Sequence, residues 1–328
     1  MRKSLILIIS FILILSVIVY NNYFLESEVT VYAMDTVMKI KIRGNQDVLN
    51  DVEKLLYDID FKFNAYNSKS YIYKLNEGAI KEVPDDVARL IEFSLKMCYE
   101  TDGNFNIALK ELKDLWNLSG ENPRIPTDEE IGNALKSSDF SKIIVKNNIV
   151  ELNGAKIDLG GVVKGYAADC VVALLKTKGI KEAIIDLGGN VYSYSDNNDI
   201  TVGIQKPFSQ RGDVVCTTAV NDKAVVSSGT YERYFEQDGK IFHHIFDPCS
   251  GYPSDNYIES VTVIGRSSAE CDIYSTALLV MGKEKAKEFY INHPEYEFLI
   301  ISKGVLYKTP GLNINLIDSD FEVNDILK

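Results

Sequence analysis

Histidine is scarce in this sequence. Only His243, His244 and His293 occur among 328 residues, so chemistry that needs an imidazole has few places to go. Cysteine is scarce as well: Cys98, Cys170, Cys216, Cys249 and Cys271 are scattered without a CxxC pair. That spacing excludes a zinc knuckle and a redox dithiol, and the odd number argues against a disulfide framework. Positive charge is in deficit. With 35 basic against 47 acidic residues the formal net charge is -12, which repels phosphate backbones and anionic lipid surfaces and sets nucleic acid aside as a partner. A phosphate-containing substrate would then be met by a bound cation more than by a basic patch. Internal repeats, low-complexity stretches and a proline-rich linker are also missing after residue 30, so nothing divides that region.

What is present is an ordinary globular balance, 46% apolar and 25% charged, over a length that suits one large domain or two smaller ones. At the N-terminus Arg2 and Lys3 precede an uncharged, Ile- and Leu-rich run from Ser4 to Tyr20, and the first acidic residue is Glu26. This is a signal-type segment. No small-x-small cleavage site follows it and no cysteine stands nearby to take a lipid. The expectation is therefore an uncleaved membrane anchor over residues 1–25, with a catalytic domain over residues 29–328 outside the cytoplasm. Tyr23, Phe24 and Leu25 would extend the run toward the ~20 residues of a comfortable span.

Alternation from Val29 to Ile42 around Met34-Asp35-Thr36 predicts a strand pair, and apolar spacing from Asp47 to Phe63 predicts a helix. Pro84 opens a helix to Tyr99, and Thr127-Asp128-Glu129-Glu130 starts a short one ending near Ser137. Asn147-Asn148 breaks Ile143 to Leu152 into a hairpin. A helix from about Val162 to Lys178 follows, then strands at Glu182 to Asp186, between Ile200 and Phe246, and at Ile258 to Ile264, and two helices between Ala269 and Asn292. Strands and helices interleave without strict βαβ alternation. The expected class is α+β, with mixed, largely antiparallel sheets and packed helices.

Four motifs could carry chemistry. Ile157-Asp158-Leu159-Gly160-Gly161 runs from a strand end into the helix beginning Lys164-Gly165, and such glycines let a ligand approach the backbone near free helix N–H groups. It matches neither GxxxxGK[ST] nor GxGxxG, and it also fits tight strand-to-helix packing. Leu187-Gly188-Gly189-Asn190 is by itself a turn. His243 and His244 precede Asp247-Pro248-Cys249-Ser250-Gly251-Tyr252-Pro253, a rigid turn. If residues 240–246 form one strand, the two imidazoles face opposite ways and only one can look into a site. Asp272 and Thr276 stand four apart at a helix start, with their oxygens on one face. Carboxylate plus hydroxyl suits a hard cation such as Mg2+, and the same pair also fits a helix cap beside a packed threonine.

Taken in order, these motifs resemble the ApbE family of FAD:protein FMN transferases. The resemblance runs from about Met34 to Leu316 through Met34-x-Thr36, Tyr66 with Ser68 to Asn76, Thr101-Asp102-Gly103, Asp158-Leu159-Gly160-Gly161 with Lys164-Gly165, Gly188-Gly189, Ser228-Gly229-x-Tyr231-Glu232, His244-x-x-Asp247-Pro248 with Gly251-x-Pro253, Ser260 to Val263, and Asp272-x-x-x-Thr276. It implies a T-fold-like domain that takes FAD as substrate, breaks its pyrophosphate, and joins FMN to a Thr or Ser of an extracytoplasmic flavoprotein with release of AMP. Some relatives hydrolyse FAD instead, and a non-catalytic FAD-binding protein is a third reading.

By the same resemblance, magnesium is held by the Gly161 carbonyl and the side chains of Asp272 and Thr276, with Ser275 nearby. Flavin contacts come from Met34, Tyr66, Asn104, Phe105, Asn106, Asp158, Lys164 and Phe246. His244 is either the base that takes the acceptor hydroxyl's proton or a group that orients the substrate. The chain departs from the family pattern at Asp35, where glycine is usual, at Asn106, which replaces an aspartate, and at Cys249-Ser250, which replace a basic residue and a threonine.

Overall fold

The computed structural model describes residues 9, 10 and 25–328. The expected anchor over residues 1–25 lies almost wholly outside the described residues. None of the described helices is long and apolar enough to cross a membrane.

The first strand pair is β1 (Glu26–Ala33) and β2 (Thr36–Arg43), antiparallel in the register Ala33↔Thr36. Its two-residue turn puts Met34 at φ 50° and Asp35 at φ 57°, the left-handed pair that matches the twist of a tight hairpin. Asp35 thus adopts the conformation that a glycine takes without strain, and the hairpin closes without one. The Asn147-Asn148 hairpin forms in the same way between β3 (Ile144–Lys146) and β4 (Ile149–Glu151), with φ 50° and 64°.

A nine-stranded sheet organises the fold. Beyond β1 and β2 it continues through β5 (Glu182–Asp186), β6 (Asn190–Ser195), β9 (Lys223–Gly229), β12 (Ser260–Gly265), β13 (Glu297–Ser302), β14 (Val305–Lys308) and β16 (Glu322–Asp325). All neighbours pair antiparallel except β14 and β16, which run parallel. The α+β expectation holds. β12 is buried at all six positions, because the sheet is covered on both faces. Val261 and Val263, with Phe298 and Ile300 of β13, join the main core on the helical face. Their alternating neighbours Ile264, Leu299 and Ile301 join a second core with Val202, Ile204, Val215 and Cys216. The latter four come from β7 (Ile200–Gln205) and β8 (Val214–Val220), which with β15 (Asn315–Leu316) form a three-stranded sheet on the other face.

The helices are α1 (Val48–Phe63), α2 (Tyr71–Asn76), α3 (Asp85–Glu100), α4 (Lys110–Trp116), α5 (Asp128–Leu135), α6 (Val163–Thr177) and α7 (Ser268–Asn292). Thr127 and Glu130 close a capping box on α5. α2 and α4 are absent from the periodicity reading, since six or seven residues hold too few turns to show a pattern. α7 is the expected helix pair fused across Gly282, whose φ of 81° breaks the spiral. There Asn256 Nδ2 donates to the Leu279 carbonyl at 2.6 Å, satisfying an acceptor that the kink releases.

A third, smaller core lies under α4, α5 and the hairpin of β10 (Tyr234–Gln237) with β11 (Lys240–His243). It is centred on Trp116, which packs on Phe242 and Phe246 and donates Nε1–H to the Gly251 carbonyl at 3.0 Å.

Candidate active site

Two helix starts meet at the centre of the site. The chain leaves Asp158, turns through Gly160 and Gly161, and enters α6; α7 arrives beside it. Asp169, one helical stretch into α6, accepts from the backbone N–H groups of Ser268 (2.8 Å) and Ala269 (3.0 Å) and from Ser267 Oγ (3.1 Å). It therefore caps α7 from a neighbouring helix and sets where that helix begins. In return Asp272, one turn into α7, accepts the Gly165 N–H on Oδ2 at 2.9 Å. A Cβ at Gly165 would run into the Ser268 carbonyl and Ala269 Cα, so only glycine permits this approach.

Asp272 is 6% exposed. Burial raises its carboxyl pKa above the ordinary range, while Lys164, the Gly165 N–H and the Asn190 amide work in the opposite direction. Thr276 lies one turn on. Its Oγ1 is 3.1 Å from Ser228 Oγ, which also bonds Ser275 Oγ at 2.8 Å. A Cβ on Gly161 would stand 4.0 Å from Thr276 Oγ1 and 3.1 Å from the Phe105 ring, so Gly161 and Thr276 are neighbours and Phe105 walls the turn. Thr276 Oγ1 also donates to the Asp272 backbone carbonyl at 3.3 Å, so Gly161, Asp272 and Thr276 are neighbours, and backbone carbonyl, carboxylate and hydroxyl are donor types that a hard cation such as magnesium takes. Ser275, fully buried, spends its hydroxyl on Ser228 and the Asp272 carbonyl (2.9 Å), and so stands behind that set.

β11 ends at His243, so residues 240–246 are not one strand as supposed. The Ser254 N–H bonds the Ile245 carbonyl at 3.0 Å and folds the Asp247-Pro248 turn back on the chain. His243 is buried, with Nε2 3.0 Å from the Ser254 carbonyl. The His244 backbone N–H bonds the Arg233 carbonyl at 3.1 Å. Its Nδ1 is buried with no hydrogen-bond partner among the described residues. Burial, then Arg233, His243, Lys113 and Lys164 push its pKa down to about 3, so the imidazole is neutral at pH 7 and stays a weak base until an anion offsets those cations. Lys113, Lys164 and Arg233 thus all act on it electrostatically, a local positive influence inside an acidic chain that net charge conceals.

These cations tie the remaining residues in. Lys113 bonds Asp158 Oδ1 at 2.6 Å, and the Gly160 N–H bonds the same oxygen at 2.8 Å. Burial alone would raise the Asp158 carboxyl, but Lys113 and these bonds hold it below its usual range. Lys164 reaches the Gly188 carbonyl at 3.4 Å. Gly188 packs on Thr36, and Arg233 stands 3.9 Å from Asp35, so the Met34-Asp35 turn belongs to the rim. Tyr66 is 59% exposed with Lys110 Nζ 4.2 Å from its ring centre. Asn104 bonds the Thr101 carbonyl at 2.8 Å. Asn106 spends its amide on the Ser138 carbonyl (2.8 Å) and the Ala108 N–H (2.7 Å). Phe246 is buried against Trp116, at the back of the His244 segment.

Lys113 was not singled out by sequence reasoning, and Ser228 and Arg233, although part of the motif around Gly229, were given no role there. α4 was too short to read, and only the pairing of β9 with β12 sets Ser228 before α7. Cys249 is exposed and bonds Asp247 Oδ1 only through its backbone N–H at 2.9 Å, so nothing in the structure explains that departure, whereas Ser250 Oγ accepts from Tyr252 N–H at 3.3 Å and serves the turn.

The ApbE family profile matches residues 34–300. A protein of Klebsiella pneumoniae (strain 342), named FAD:protein FMN transferase, is 31% identical over 303 residues, covering 89% of this chain and 95% of that one. The protein of the same name from Treponema pallidum is 31% identical over 276 residues, with 77% and 76% covered. Among solved structures, the ApbE protein of Thermotoga maritima superposes with a TM-score of 0.79 at 29% identity, over 90% of this chain and 98% of that one. The apo flavinyl transferase ApbE of Pseudomonas stutzeri gives 0.74 at 25% identity, over 87% and 94%. With the whole fold, the paired helix starts and the family profile in agreement, this chain belongs to the ApbE family.

Proposed function

We propose that this chain is a magnesium-dependent FAD:protein FMN transferase, which moves the FMN part of FAD onto a Thr or Ser hydroxyl of an extracytoplasmic, membrane-associated flavoprotein and releases AMP. The names of the relatives support the reaction. One observation carries it for this chain: Gly161 and Thr276 are neighbours, Asp272 is bonded to the start of the other helix, and Lys164 acts electrostatically both on Asp272 and on the neutral imidazole of His244.

Phosphoryl transfer asks chiefly for positioning and charge stabilisation. Lys113, Lys164 and Arg233 would face the diphosphate of FAD, and Met34, Tyr66 and Phe105 offer apolar and aromatic surface to the flavin. The acceptor hydroxyl oxygen attacks the FMN phosphorus and forms the new P–O bond. The bond from that phosphorus to the bridging oxygen breaks, and this oxygen departs with AMP. His244 takes the hydroxyl proton on its neutral imidazole. Magnesium, held by Asp272, Thr276 and the Gly161 carbonyl, would supply charge neutralisation at the diphosphate oxygens.

The test is mass spectrometry of purified candidate acceptors after incubation with the protein, FAD and Mg2+. The reading predicts an FMN adduct on a Thr or Ser, with AMP formed in equal amount. Free FMN and AMP at the same rate with and without acceptor would mark a pyrophosphatase, and intact FAD with no AMP would mark a binding protein. The N-terminal run is proposed to anchor the chain in the cell membrane with this domain outside. Recovery in the membrane fraction and cleavage by protease added to intact spheroplasts test that; a protected or soluble chain would refute it.

A further inference from the structure

Asn190 opens β6 immediately after the Gly188-Gly189 turn, and it is 1% exposed. The turn fixes its backbone. Gly188 and Gly189 both take positive φ, at 75° and 88°, and the Leu187 N–H bonds the Asn190 carbonyl at 2.9 Å. Its side chain enters the junction where α7 starts. Asn190 Oδ1 accepts from Ser268 Oγ at 2.5 Å, and Ser268 stands one helical turn before Asp272 on the same face. The other end of the amide, Nδ2, is buried without a partner at hydrogen-bonding geometry among the described residues.

Leaving such a group unsatisfied is destabilising, so its retention beside the start of α7 asks for a reason. Electrostatics decides which way the amide faces. Reversing it would turn the carbonyl oxygen toward the Asp272 carboxylate, oxygen against oxygen. With Oδ1 taken by Ser268, the N–H groups form the free end of the amide, the end that a carboxylate one turn along the same helix face attracts.

Resting on the proposed metal-dependent reading, we infer that Asn190 is a positioning residue: clamped by Ser268, its amide N–H steadies the Asp272 carboxylate that ligates the cation. Asp272 is then held from two sides, by the Gly165 backbone and by the Asn190 side chain. A metal-ligating carboxylate fixed in this way presents its remaining lone pairs in one direction, and losing such an outer partner typically weakens metal affinity by about 10–100-fold. Asn190 touches neither the substrate nor the reacting atoms in this scheme.

The experiment titrates Mn2+, followed by electron paramagnetic resonance, into the purified full-length chain, its Asp272→Ala variant and the variants Asn190→Leu and Asn190→Ser. Thermal unfolding of each metal-free protein is recorded in parallel. Wild type is expected to bind and Asp272→Ala to lose the site. Both Asn190 variants should bind at least about 10-fold more weakly. A purely structural asparagine would lower the melting temperature and leave the Mn2+ affinity of the folded protein unchanged, and that result would overturn the proposal. If Asn190→Leu does not fold, Asn190→Ser decides by the same criterion. No Mn2+ binding by wild type, or equal binding by wild type and Asp272→Ala, would instead sink the metal reading and this inference with it.

Discussion

The backbone N–H of Gly165 meets Asp272 Oδ2 at 2.9 Å although the two residues are 107 positions apart in the chain. Each lies near the start of a helix, and the two starts touch because Gly165 has no side chain to hold them apart. Asp169 caps the second helix from the first, so the Asp272 carboxylate is placed by helix-to-helix contact more than by its own loop.

Gly165→Ala should damage both stability and the site. The added methyl would press on the Ser268 backbone, which cannot yield as a flexible side chain would. A loss of about 1–3 kcal/mol is expected, read as a lower denaturant midpoint with an unchanged m-value. Mn2+ affinity should fall with it. Wild-type behaviour in both measurements would mean that the helix starts part easily.

Asp272→Asn removes the only charged donor of the set while nearly keeping its shape. AMP release from FAD at saturating acceptor should fall on the order of 10²–10³-fold, as for loss of a major transition-state charge stabiliser. Raising Mg2+ should not restore it. Retention of magnesium-stimulated turnover would place the cation elsewhere.

His244 carries a pH signature. Its pKa is lowered to about 3 in the free protein, by burial first and by Arg233 next, so protonation of this group should produce no acid limb in kcat/KM between pH 5 and 8. Binding the anionic diphosphate offsets the cations and raises the pKa, so any acid limb in kcat should lie at higher pH than in kcat/KM. His244→Ala should lower kcat about 10²–10⁴-fold with FAD affinity little changed. An acid limb near pH 6.5 in kcat/KM, lost in the variant, would contradict the buried cationic setting. The stability sign follows from the same shift. The unfolded chain protonates first, so the contribution of neutral His244 is present above about pH 6.5 and is lost as pH falls toward about 3.

Lys113→Met leaves Asp158 buried without its ion pair. Breaking a fully buried pair costs about 3–5 kcal/mol, and Lys113's partial exposure brings the expected loss toward the lower end. Because the Asp158 carboxyl is held below its usual range, the pair stabilises above the unfolded carboxyl pKa, and this is lost as pH falls through the folded value. Melting temperatures of wild type and variant should therefore converge in acid. A constant gap from pH 7 to pH 3 would refute the electrostatic account.

Elements with a local cause were legible in the chain. The Met34-Asp35 and Asn147-Asn148 hairpins follow from residues that tolerate left-handed backbone and the α5 start from its capping box, while the two helices expected between Ala269 and Asn292 are one element whose break at Gly282 the structure located. Asp272 and Thr276 were readable as one face of a helix because that geometry is set by a spacing of four. Short helices gave no periodic signal, so α4 and its Lys113 stayed hidden.

By itself the sequence determined the α+β class, the glycine turn at Gly160-Gly161, the four-residue spacing of the oxygen donors and the scarcity that singles out His244, all of which are local or compositional properties. Only the tertiary structure decided that β11 stops at His243, that Lys113, Lys164 and Arg233 act on His244 within an acidic chain, and that Gly165 bonds Asp272 while Ser268 bonds Asn190. Those relations join residues tens to more than a hundred positions apart, and they are set by helix packing and strand pairing, which no local spacing encodes.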